Sequence, residues 1–435
     1  MEAPLPASVG EIDDRQLSNR EEHPMHDTTA LARPASPYNP ADNPRFSKLH
    51  RRFPTVAYLR RHARRQLPNF AFEYMDGGAG ADGGIARNSH ALDAVEMVPR
   101  YGVTTALPPV DVELFGKRYS APIGVAPMGG PSLVWPGADQ YLAAAAQRAR
   151  VPYTLGLVGG MTVERAAEIA PDVLWFQLYR CSRNDHAIGF DLVRRAETVG
   201  VHALVLTLDV PVRTTRPREV AVGITSPFRP DLRMIAGILS SPGYLKSLWT
   251  HGQPRFGNLK PYTSDTADVN EVAAFVRREM GGAFTWDEVA RYRERWKRPL
   301  VVKGILHPAD AEKCVALGVD GIVVSNHGGR QVEGLPAPID VLPAIARAVG
   351  GRATVMLDSG VRSGLDVVRA VALGADAAFA GKAFLWGLGA LGAEGPGHVI
   401  DLMIDEMKSA FGQVGAVRPE QARSAVIRHP GAMHF

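Results

Sequence analysis

Short apolar stretches alternate with longer helical stretches along the chain from about residue 118 onward. Eight stretches are apolar and bounded by Gly, Pro or Asp: APIGVAPM (121–128), VPYTLGL (151–157), VLWFQLY (173–179), ALVLTLD (203–209), PLVVKG (299–304), GIVVSNH (321–327), TVMLDSG (354–360) and AAFAGK (377–382). The intervening stretches carry helical periodicity, and several end in Gly, a common helix stop: ADQYLAAAAQRAR, TVERAAEIA, DLVRRAETVG, HPADAEKCVALG, PAPIDVLPAIARAVG and SGLDVVRAVALG. Continuous apolar strands alternating with helices predict a parallel sheet covered by helices.

Eight such units over roughly 260 residues fit a TIM barrel, the (β/α)8 fold. An open doubly wound sheet is the alternative, but no GxGxxG follows the first strand. Polar residues close almost every strand: Gln177, Tyr179, Thr207, Asp209, Lys303, Ser325, Asn326, His327 and Asp358. In a barrel these ends converge on one face, whereas in an open sheet they spread along an edge. We therefore predict an α/β fold of the TIM-barrel type.

Two segments fall outside the repeated units. Residues 1–45 are rich in Pro, Ser, Asn and charge, which predicts a disordered extension before a barrel domain over 46–435. After the fourth strand comes a long loop, about 210–298, of a size typical of a lid, a binding element or a partner surface. Its apolar part, 232–249, predicts a helix packed on the barrel, with weak membrane contact as the alternative.

Composition and charge argue against several classes of protein, among them nucleic-acid-binding and metal-binding proteins. Hydrophobic residues make up 46% of the 435 residues, and the net charge of +4 is mild. The Arg-rich stretch 51–65 has apolar residues at helical spacing, so we interpret it as a helix with a solvated basic face and not as a nucleic-acid site. Cys181 and Cys314 lie far apart without a metal-binding pattern, which predicts buried thiols and no metal site. Because no signal-type or membrane-spanning apolar run is present, we expect a cytoplasmic protein.

The sixth strand ends in a group that can move protons. His327 follows this strand, and Asp209 at the end of the fourth strand is placed to accept a hydrogen bond from one ring nitrogen. Such a bond fixes the tautomer and leaves the other nitrogen available as a base. Arg330 comes after two glycines that allow a sharp turn, and its guanidinium suits a substrate carboxylate. A histidine satisfied only by local hydrogen bonds is the simpler alternative.

Lys303 closes the fifth strand, where a half-buried ammonium needs an anionic partner. A structural ion pair with Asp358 or Glu333 is one interpretation. In the functional interpretations, Lys303 faces an electron-rich ring or forms a Schiff base with substrate, as in a lyase.

The seventh and eighth strands end in backbone amides and cations that suit a phosphate group. These residues are Gly360, Arg362, Gly381 and Lys382. A cofactor with a phosphate tail would then place its reactive end near Lys303 and His327, which suits carbanion or hydride chemistry on a 2-hydroxy acid. Flavin mononucleotide (FMN) and pyridoxal phosphate both meet this description.

The stretch SNHGGRQ (325–331) resembles the active-site signature of the FMN-dependent 2-hydroxy-acid oxidases and dehydrogenases, which include glycolate oxidase, lactate oxidase, lactate monooxygenase and mandelate dehydrogenase. The resemblance runs from about Phe53 to Arg418 and includes FEYMDGGAG (72–80), APIGVAPMG (121–129), FQLY (176–179), LTLDVP (206–211), VVKGI (301–305) and LDSGVRSGLDVV (357–368). It implies FMN as the cofactor and oxidation of an (S)-2-hydroxy acid to the 2-oxo acid.

The resemblance also implies roles for individual residues. The catalytic set would be His327 as base, Asp209 as its support, Lys303 near the flavin N1 and Tyr179 near the substrate hydroxyl. The substrate site would consist of Tyr74, Tyr179, Arg216 (with Arg218 in reserve), His327 and Arg330. The FMN site would consist of Pro127, Met128, Gly129, Gly156, Gln177, Thr207, Lys303, Ser325, Asp358, Gly360, Arg362, Gly381 and Lys382.

Four features depart from the family pattern, and the first is AGADGG (79–84), which stands where the family usually has an acidic pair. Lys382 stands where the family has Arg, so that a forked phosphate contact becomes a point charge. Gly156 stands where Ser or Thr often bonds the flavin, and Val158 replaces an aromatic residue that lines the pocket in glycolate oxidase. We therefore expect weaker FMN binding and a lactate-like substrate.

The electron acceptor stays open at this stage. Oxygen would make the protein an oxidase or a decarboxylating lactate 2-monooxygenase, and a quinone or cytochrome would make it a lactate or mandelate dehydrogenase. A flavin-binding protein without turnover is the non-enzymatic alternative. The resemblance also implies a homo-oligomer, either a tetramer or an octamer.

Overall fold

The eight apolar stretches form eight parallel strands that close into a barrel in a computed structural model of the chain. The structure describes residues 38–103, 106–212, 214–224, 230–264 and 269–435. The strands are β1 (Glu96–Val98), β2 (Val112–Leu114), β3 (Lys117–Tyr119), β4 (Ile123–Val125), β5 (Tyr153–Gly156), β6 (Leu174–Leu178), β7 (Ala203–Thr207), β8 (Leu300–Ile305), β9 (Gly321–Val324), β10 (Thr354–Leu357), β11 (Ala377–Ala380) and β12 (Val426–Arg428). Strands β4 to β11 follow one another around the barrel, and β11 pairs with β4. The predicted TIM barrel is confirmed.

The barrel strands are apolar throughout because both of their faces are covered. Every residue of β4, β5, β6, β7, β9 and β11 is buried. One side of each strand fills the barrel interior, and the other side packs against the surrounding helices. This double burial explains why the sequence shows continuous apolar runs instead of a strict alternation of apolar and polar residues.

The helices occupy the positions that the periodic stretches predict. They are α1 (Phe46–Arg52), α2 (Val56–Gln66), α3 (Asn69–Asp76), α4 (Gly83–Asp93), α5 (Pro131–Val134), α6 (Ala138–Ala149), α7 (Val163–Ile169), α8 (Arg183–Thr198), α9 (Pro217–Ala221), α10 (Leu232–Leu239), α11 (Pro242–His251), α12 (Val269–Glu279), α13 (Trp286–Arg295), α14 (Pro308–Ala316), α15 (Pro338–Val349), α16 (Gly364–Ala372), α17 (Lys382–Leu391) and α18 (Gly395–Gln413). The Arg-rich stretch forms α2, which buries Val56, Leu59 and Ala63 and exposes its arginines.

The structure describes only the end of the predicted N-terminal extension. Residues 1–37 of the predicted extension lie outside the described residues. From Tyr38 onward the chain is placed against the barrel domain, because Tyr38 and Asn43 both hydrogen-bond the buried carboxylate of Asp401 on α18. Residues 38–45 therefore contact the barrel domain, and the boundary at residue 45 stays a prediction.

The insertion after the fourth barrel strand, β7, is present but differs from the predicted loop. Its described part contains the five helices α9 to α13. Helix α13 starts with a capping box, in which the side chains of Thr285 and Glu288 each accept a bond from the other's backbone, and it buries Val289 and Tyr292. Paired caps and apolar residues at helical spacing stabilise helices, so the described part of the insertion is largely helical.

A single glycine lets the fourth and fifth barrel strands approach at the active face. The pairing of β8 with β9 shifts register between Lys303 and Ile305, and Gly304 between them has φ +104°. A Cβ atom at this position would lie 2.5 Å from the Cβ of Asp209. The bulge therefore requires glycine and brings Asp209 beside Lys303.

None of the helices in the described ranges combines the length and the apolar character needed to cross a bilayer.

We expect Leu59→Ala to destabilise the protein by roughly 2–4 kcal/mol, because it leaves a cavity where α2 packs on the barrel. Leu59 is fully buried, whereas its neighbour Tyr58 is 47% exposed, so Tyr58→Ala should cost less than about 1 kcal/mol. Urea unfolding of the two variants measures the difference. Equal losses would mean that α2 is not packed as described.

Candidate active site

The strand ends of the barrel surround one large cavity of about 890 Å³, measured to its open mouth. Twelve of the predicted site residues line it: Tyr74, Pro127, Met128, Gly129, Lys303, His327, Arg330, Asp358, Gly360, Arg362, Gly381 and Lys382. The cation, the imidazole and the guanidinium that the sequence singles out therefore face one space. The other predicted residues, Gly156, Gln177, Tyr179, Thr207, Asp209, Arg216 and Ser325, are not among the lining residues.

The buried ammonium of Lys303 joins two carboxylates at the floor of this cavity. Its Nζ lies 3.0 Å from Oδ2 of Asp358 and 3.3 Å from Oδ2 of Asp209, and it donates to Oγ of Ser325 at 2.6 Å. Burial alone lowers the pKa of Lys303, but the two carboxylates outweigh burial and hold that pKa above its ordinary value. Lys303 is therefore a fixed positive charge, which is unsuited to the free amine that a Schiff-base lyase needs.

Asp209 also holds His327. Oδ1 of Asp209 lies 2.8 Å from Nδ1 of His327, while Oδ2 faces Lys303. Burial alone raises the pKa of Asp209, but His327 and Lys303 outweigh burial and hold it well below its ordinary value. An ionised carboxylate at Nδ1 places the ring proton there and leaves Nε2 available to accept another proton.

Local backbone geometry aims the His327 ring. His327 has φ +58°, Gly328 and Gly329 follow with φ +68° and +72°, and the His327 N–H donates to Ser325 Oγ at 3.1 Å. The hydroxyl of Ser359 accepts from the N–H of Gly328 at 2.9 Å. Three successive left-handed residues turn the chain sharply after β9, which explains the Gly-Gly pair in the sequence.

Two buried amide side chains hold the turn that carries His327, and the sequence analysis assigned a role to neither of them. Asn88 on α4 and Asn326 exchange hydrogen bonds through both amide groups, at 2.9 and 2.6 Å. Asn326 also accepts from the N–H of Gly329 at 3.1 Å. Only the position of Asn326 beside His327 could have signalled this function. Asn88 lies 238 residues away in the chain inside a helix with no active-site pattern.

Two of the predicted site residues are tyrosines: Tyr179 lies near His327, and Tyr74 lies near Arg330. The ring of Tyr179 lies 6.5 Å from that of His327. Burial, followed by the charge of Asp209, raises the pKa of Tyr179 to about 12, so its hydroxyl remains protonated at neutral pH. The Tyr74 hydroxyl donates to the backbone oxygen of Gly129 at 2.6 Å, and the Arg330 guanidinium lies over the Tyr74 ring at 5.3 Å.

The structure separates the two candidate arginines of the insertion. Arg216 donates to the backbone oxygen of Arg330 at 3.1 Å and so belongs to the substrate end of the site. Arg218 instead binds three carboxylates of the α3–α4 region, Glu73, Asp76 and Asp82. Arg216 is therefore the better candidate, and Arg218 ties the insertion to α3.

Two predicted flavin contacts are engaged with each other. Gln177 donates to the hydroxyl of Thr207 at 2.9 Å and accepts from the N–H of Leu157 at 3.3 Å. Gly156 is explained by close packing, since a Cβ there would lie 2.7 Å from the backbone oxygen of Met128. The Ser or Thr of the family pattern would collide at this position.

The end of the cavity formed after β10 and β11 fits a phosphate ester. The guanidinium of Arg362 lines the cavity and lies over the Trp386 ring at 5.4 Å, and no described carboxylate forms an ion pair with it. Lys382 is engaged differently, because its Nζ donates to the backbone oxygens of Met75, Asp76 and Gly77 at 2.8 to 3.1 Å. The half-buried Arg362 guanidinium beside backbone amides at one end, and the Lys303 ammonium at the other, match the phosphate tail and the electron-rich ring of FMN.

Glu333 does not pair with Lys303, as one interpretation proposed. Its carboxylate accepts from the N–H groups of Ala81 and Gly83 at the start of α4, at 3.0 and 2.6 Å. The predicted buried thiols are found: Cys181 and Cys314 are both free and buried.

The barrel and the cavity together define a flavin-dependent oxidoreductase of the TIM-barrel class. The sequence profile of the FMN-dependent dehydrogenases matches residues 63–429. The chain belongs to this family, which oxidises 2-hydroxy acids with FMN as the cofactor.

Known relatives agree with this assignment. The L-lactate dehydrogenase of Caulobacter sp. (strain K31) is 35% identical over 370 residues, which cover 85% of this chain and 97% of that protein. The L-lactate dehydrogenase of Stenotrophomonas maltophilia (strain R551-3) is 36% identical over the same shares. Among solved structures, the monotopic membrane protein (S)-mandelate dehydrogenase superposes with a TM-score of 0.81 at 31% identity, covering 86% of this chain and 99% of that one. Mandelate oxidase with (S)-4-hydroxymandelic acid gives 0.75 at 33% identity, covering 88% and 100%.

We expect Lys303→Met to cost roughly 3–5 kcal/mol, because it leaves Asp209 and Asp358 buried without their cation. The folded-state pKa of Lys303 lies above its unfolded value of about 10.4. The loss should therefore be constant from neutral pH up to about that pH and shrink as the pH rises through the folded-state pKa.

Urea unfolding at several pH values measures this effect, with the exposed Lys297 changed to Met as the matched control. A loss below about 1 kcal/mol for Lys303→Met at neutral pH would contradict the ion cluster.

Proposed function

We propose that the protein oxidises an (S)-2-hydroxy acid of the lactate type to its 2-oxo acid, with His327 as the base. The observation that carries this proposal is the 2.8 Å contact between Asp209 and His327 on a cavity that also presents Lys303 and Arg330. A general base, a guanidinium that binds the substrate carboxylate and a fixed cation are the groups that this oxidation requires.

The protein residues divide the work in this proposal. Arg216 and Arg330 hold the substrate carboxylate and so turn its hydroxyl toward His327. Nε2 of His327 takes the substrate's proton, from the hydroxyl in a hydride route or from the α-carbon in a carbanion route, and Asp209 stabilises the imidazolium that forms. Tyr179, protonated at neutral pH, donates a hydrogen bond near the same hydroxyl. FMN, when bound, accepts the two electrons released at the α-carbon, and either a hydride or a carbanion route is compatible with these positions.

The cofactor would be held along the cavity. Lys303 supplies positive charge for the electron-rich end of the ring system. Ser325, Gln177 and Thr207 lie close to Lys303 but do not line the cavity. The backbone of Pro127, Met128 and Gly129 and the residues after β10 and β11, Asp358, Gly360, Arg362 and Gly381, line the rest. Because the three protons of Lys382 are directed at the end of α3, we propose Arg362 as the principal phosphate cation.

Lactate is the substrate that the relatives favour, because they are L-lactate dehydrogenases. Val158 lies beside Gly129, since a Cβ on Gly129 would come within 3.2 Å of Cγ2 of Val158. A small side chain here leaves space for larger acids, so a mandelate-like acid is the second candidate. Oxidative decarboxylation of the lactate 2-monooxygenase type remains the alternative reaction.

We expect His327→Gln to keep FMN bound and to slow its anaerobic reduction by (S)-lactate about 10²- to 10⁴-fold, the usual contribution of a general base. Stopped-flow absorbance measures the rate, and the flavin spectrum measures occupancy. Near-normal reduction would overturn the assignment of His327. If wild-type flavin is reduced by no 2-hydroxy acid, the protein binds flavin without turnover.

The insertion carries an exposed apolar surface that supports a membrane-bound electron acceptor. Leu232, Leu239 and Trp249 are 84%, 64% and 91% exposed, and Ile235 and Leu245 lie beside them. The predicted packing of this segment also holds, since Met234 and Tyr244 on the opposite faces are buried. We call the five exposed residues of α10 and α11 the apolar face.

Exposed basic residues lie on the helix that leads into the segment against which α10 packs. Helix α10 packs against the turn between α2 and α3, where a Cβ on Gly237 would lie 3.7 Å from Pro68. Helix α2 exposes Arg60, Arg61, Arg64 and Arg65, of which Arg60 and Arg64 pair with Asp76 and Glu73. Apolar side chains on α10 and α11 together with basic side chains on α2 fit an anionic lipid bilayer. We therefore propose a dehydrogenase that passes electrons to a quinone or cytochrome and acts as a homo-oligomer, tetramer or octamer, at the cytoplasmic side of a membrane.

We expect the triple change of Leu232, Leu239 and Trp249 to Ser to weaken binding to phosphatidylglycerol-containing vesicles at least about ten-fold. Vesicle flotation measures the bound fraction. The matched control changes Val98 and Val426, exposed valines of the β1–β12 pair, to Ser. Equal binding of both variants, or no binding of wild type, would refute the membrane proposal.

A further inference from the structure

A carboxylate of the protein already lies between the two guanidinium groups proposed to hold the substrate. Oε1 of Glu219 on α9 accepts from Nη2 of Arg330 at 2.7 Å and from Nη1 of Arg216 at 3.1 Å. All three side chains are largely buried, with exposed fractions of 15 to 21%. We call these three residues the carboxylate clamp.

Glu219 is not needed to hold the two arginines in place. Nη1 of Arg330 donates to the backbone oxygens of Tyr74 and Gly77 at 2.8 and 2.7 Å. Nε of Arg216 donates to the backbone oxygen of Arg330 at 3.1 Å. Because backbone acceptors fix both guanidinium groups, the distinctive contribution of Glu219 is its negative charge.

The clamp can accept a ligand without losing Glu219. A guanidinium has five N–H groups, and the contacts above use three of them on Arg330 and two on Arg216. N–H groups therefore remain on both arginines for a substrate carboxylate. Two arginines and one glutamate carry a net charge of +1, which one ligand carboxylate neutralises.

On the basis of the proposed function, we infer that Glu219 determines specificity by matching the carboxylate clamp to acids with a single carboxylate. A 2-hydroxy dicarboxylate would bring a second negative charge toward a site whose positive charge is already balanced. Glu219 repels each ligand charge separately, so in a Coulombic description its effect on a compact dianion is about twice that on a monoanion. We assign Glu219 as a specificity residue and not as a catalytic one.

The test compares anion binding to the FMN-loaded wild type and to Glu219→Gln, with Glu219→Ala as a second neutral variant. Pyruvate is the monoanion probe and oxalate the dianion probe, both measured at constant ionic strength through the change in the flavin absorbance spectrum. We expect Glu219→Gln to tighten pyruvate binding about three-fold and oxalate binding about ten-fold. Glu219→Asp, which retains the charge, should keep the wild-type ratio of the two dissociation constants.

Three results would overturn the inference. If both anions tighten by the same factor, Glu219 is a placeholder that every ligand displaces. If both bind more weakly in Glu219→Gln and Glu219→Ala, its role is structural. If neither dissociation constant changes, the charge of Glu219 does not act on the ligand. Anaerobic flavin reduction of the wild type is measured separately, so a failure of the proposed oxidation is distinguishable from a failure of this inference.

Discussion

The active site depends on one buried ammonium held between two carboxylates. Lys303 needs Asp209 and Asp358 because an unpaired charge at the floor of the barrel would be too costly to bury. Asp209 in turn is ionised because Lys303 and His327 face its two oxygens. The same carboxylate that neutralises the lysine thus fixes the histidine tautomer, so the electrostatic requirement of folding and the requirement of catalysis are met by one residue.

The barrel supplies this arrangement through the ends of neighbouring strands. β7 and β8 pair with Thr207 opposite Lys303, and the bulge at Gly304 allows Asp209 to approach. β9 then adds Ser325 and the left-handed turn that carries His327. Substrate binding is arranged differently, because Arg216 and Glu219 come from the insertion. A loop segment thereby adds side chains to the face formed by the strand ends, which is the general pattern of barrel enzymes. The insertion also carries the apolar face, so the segments proposed for substrate selection and for acceptor contact lie on one part of the chain.

Sequence patterns predicted the barrel because continuous apolar runs report strands buried on both faces. They also predicted that Lys303, His327 and Arg330 share one cavity, since the ends of parallel strands converge. They could not predict partners brought together by packing: Asn88 reaches Asn326 from inside a helix, and Glu219 of α9 stands between Arg216 and Arg330. The sequence indicated a helix in the insertion only over 232–249, since helices in an insertion lack the regular alternation that revealed the barrel. The acceptors of Lys382, the backbone oxygens at the end of α3, leave no mark on the sequence.

The central claim is that Asp209 acts through His327, and a double-mutant cycle tests it most directly. The rate of anaerobic flavin reduction by (S)-lactate would be measured for the wild type, Asp209→Asn, His327→Gln and the double variant. If the carboxylate works by orienting and charging the imidazole, Asp209→Asn slows the wild type but has little further effect once His327 is replaced. Fully additive effects on the logarithm of the rate would contradict the account, because they would show that the two residues contribute independently.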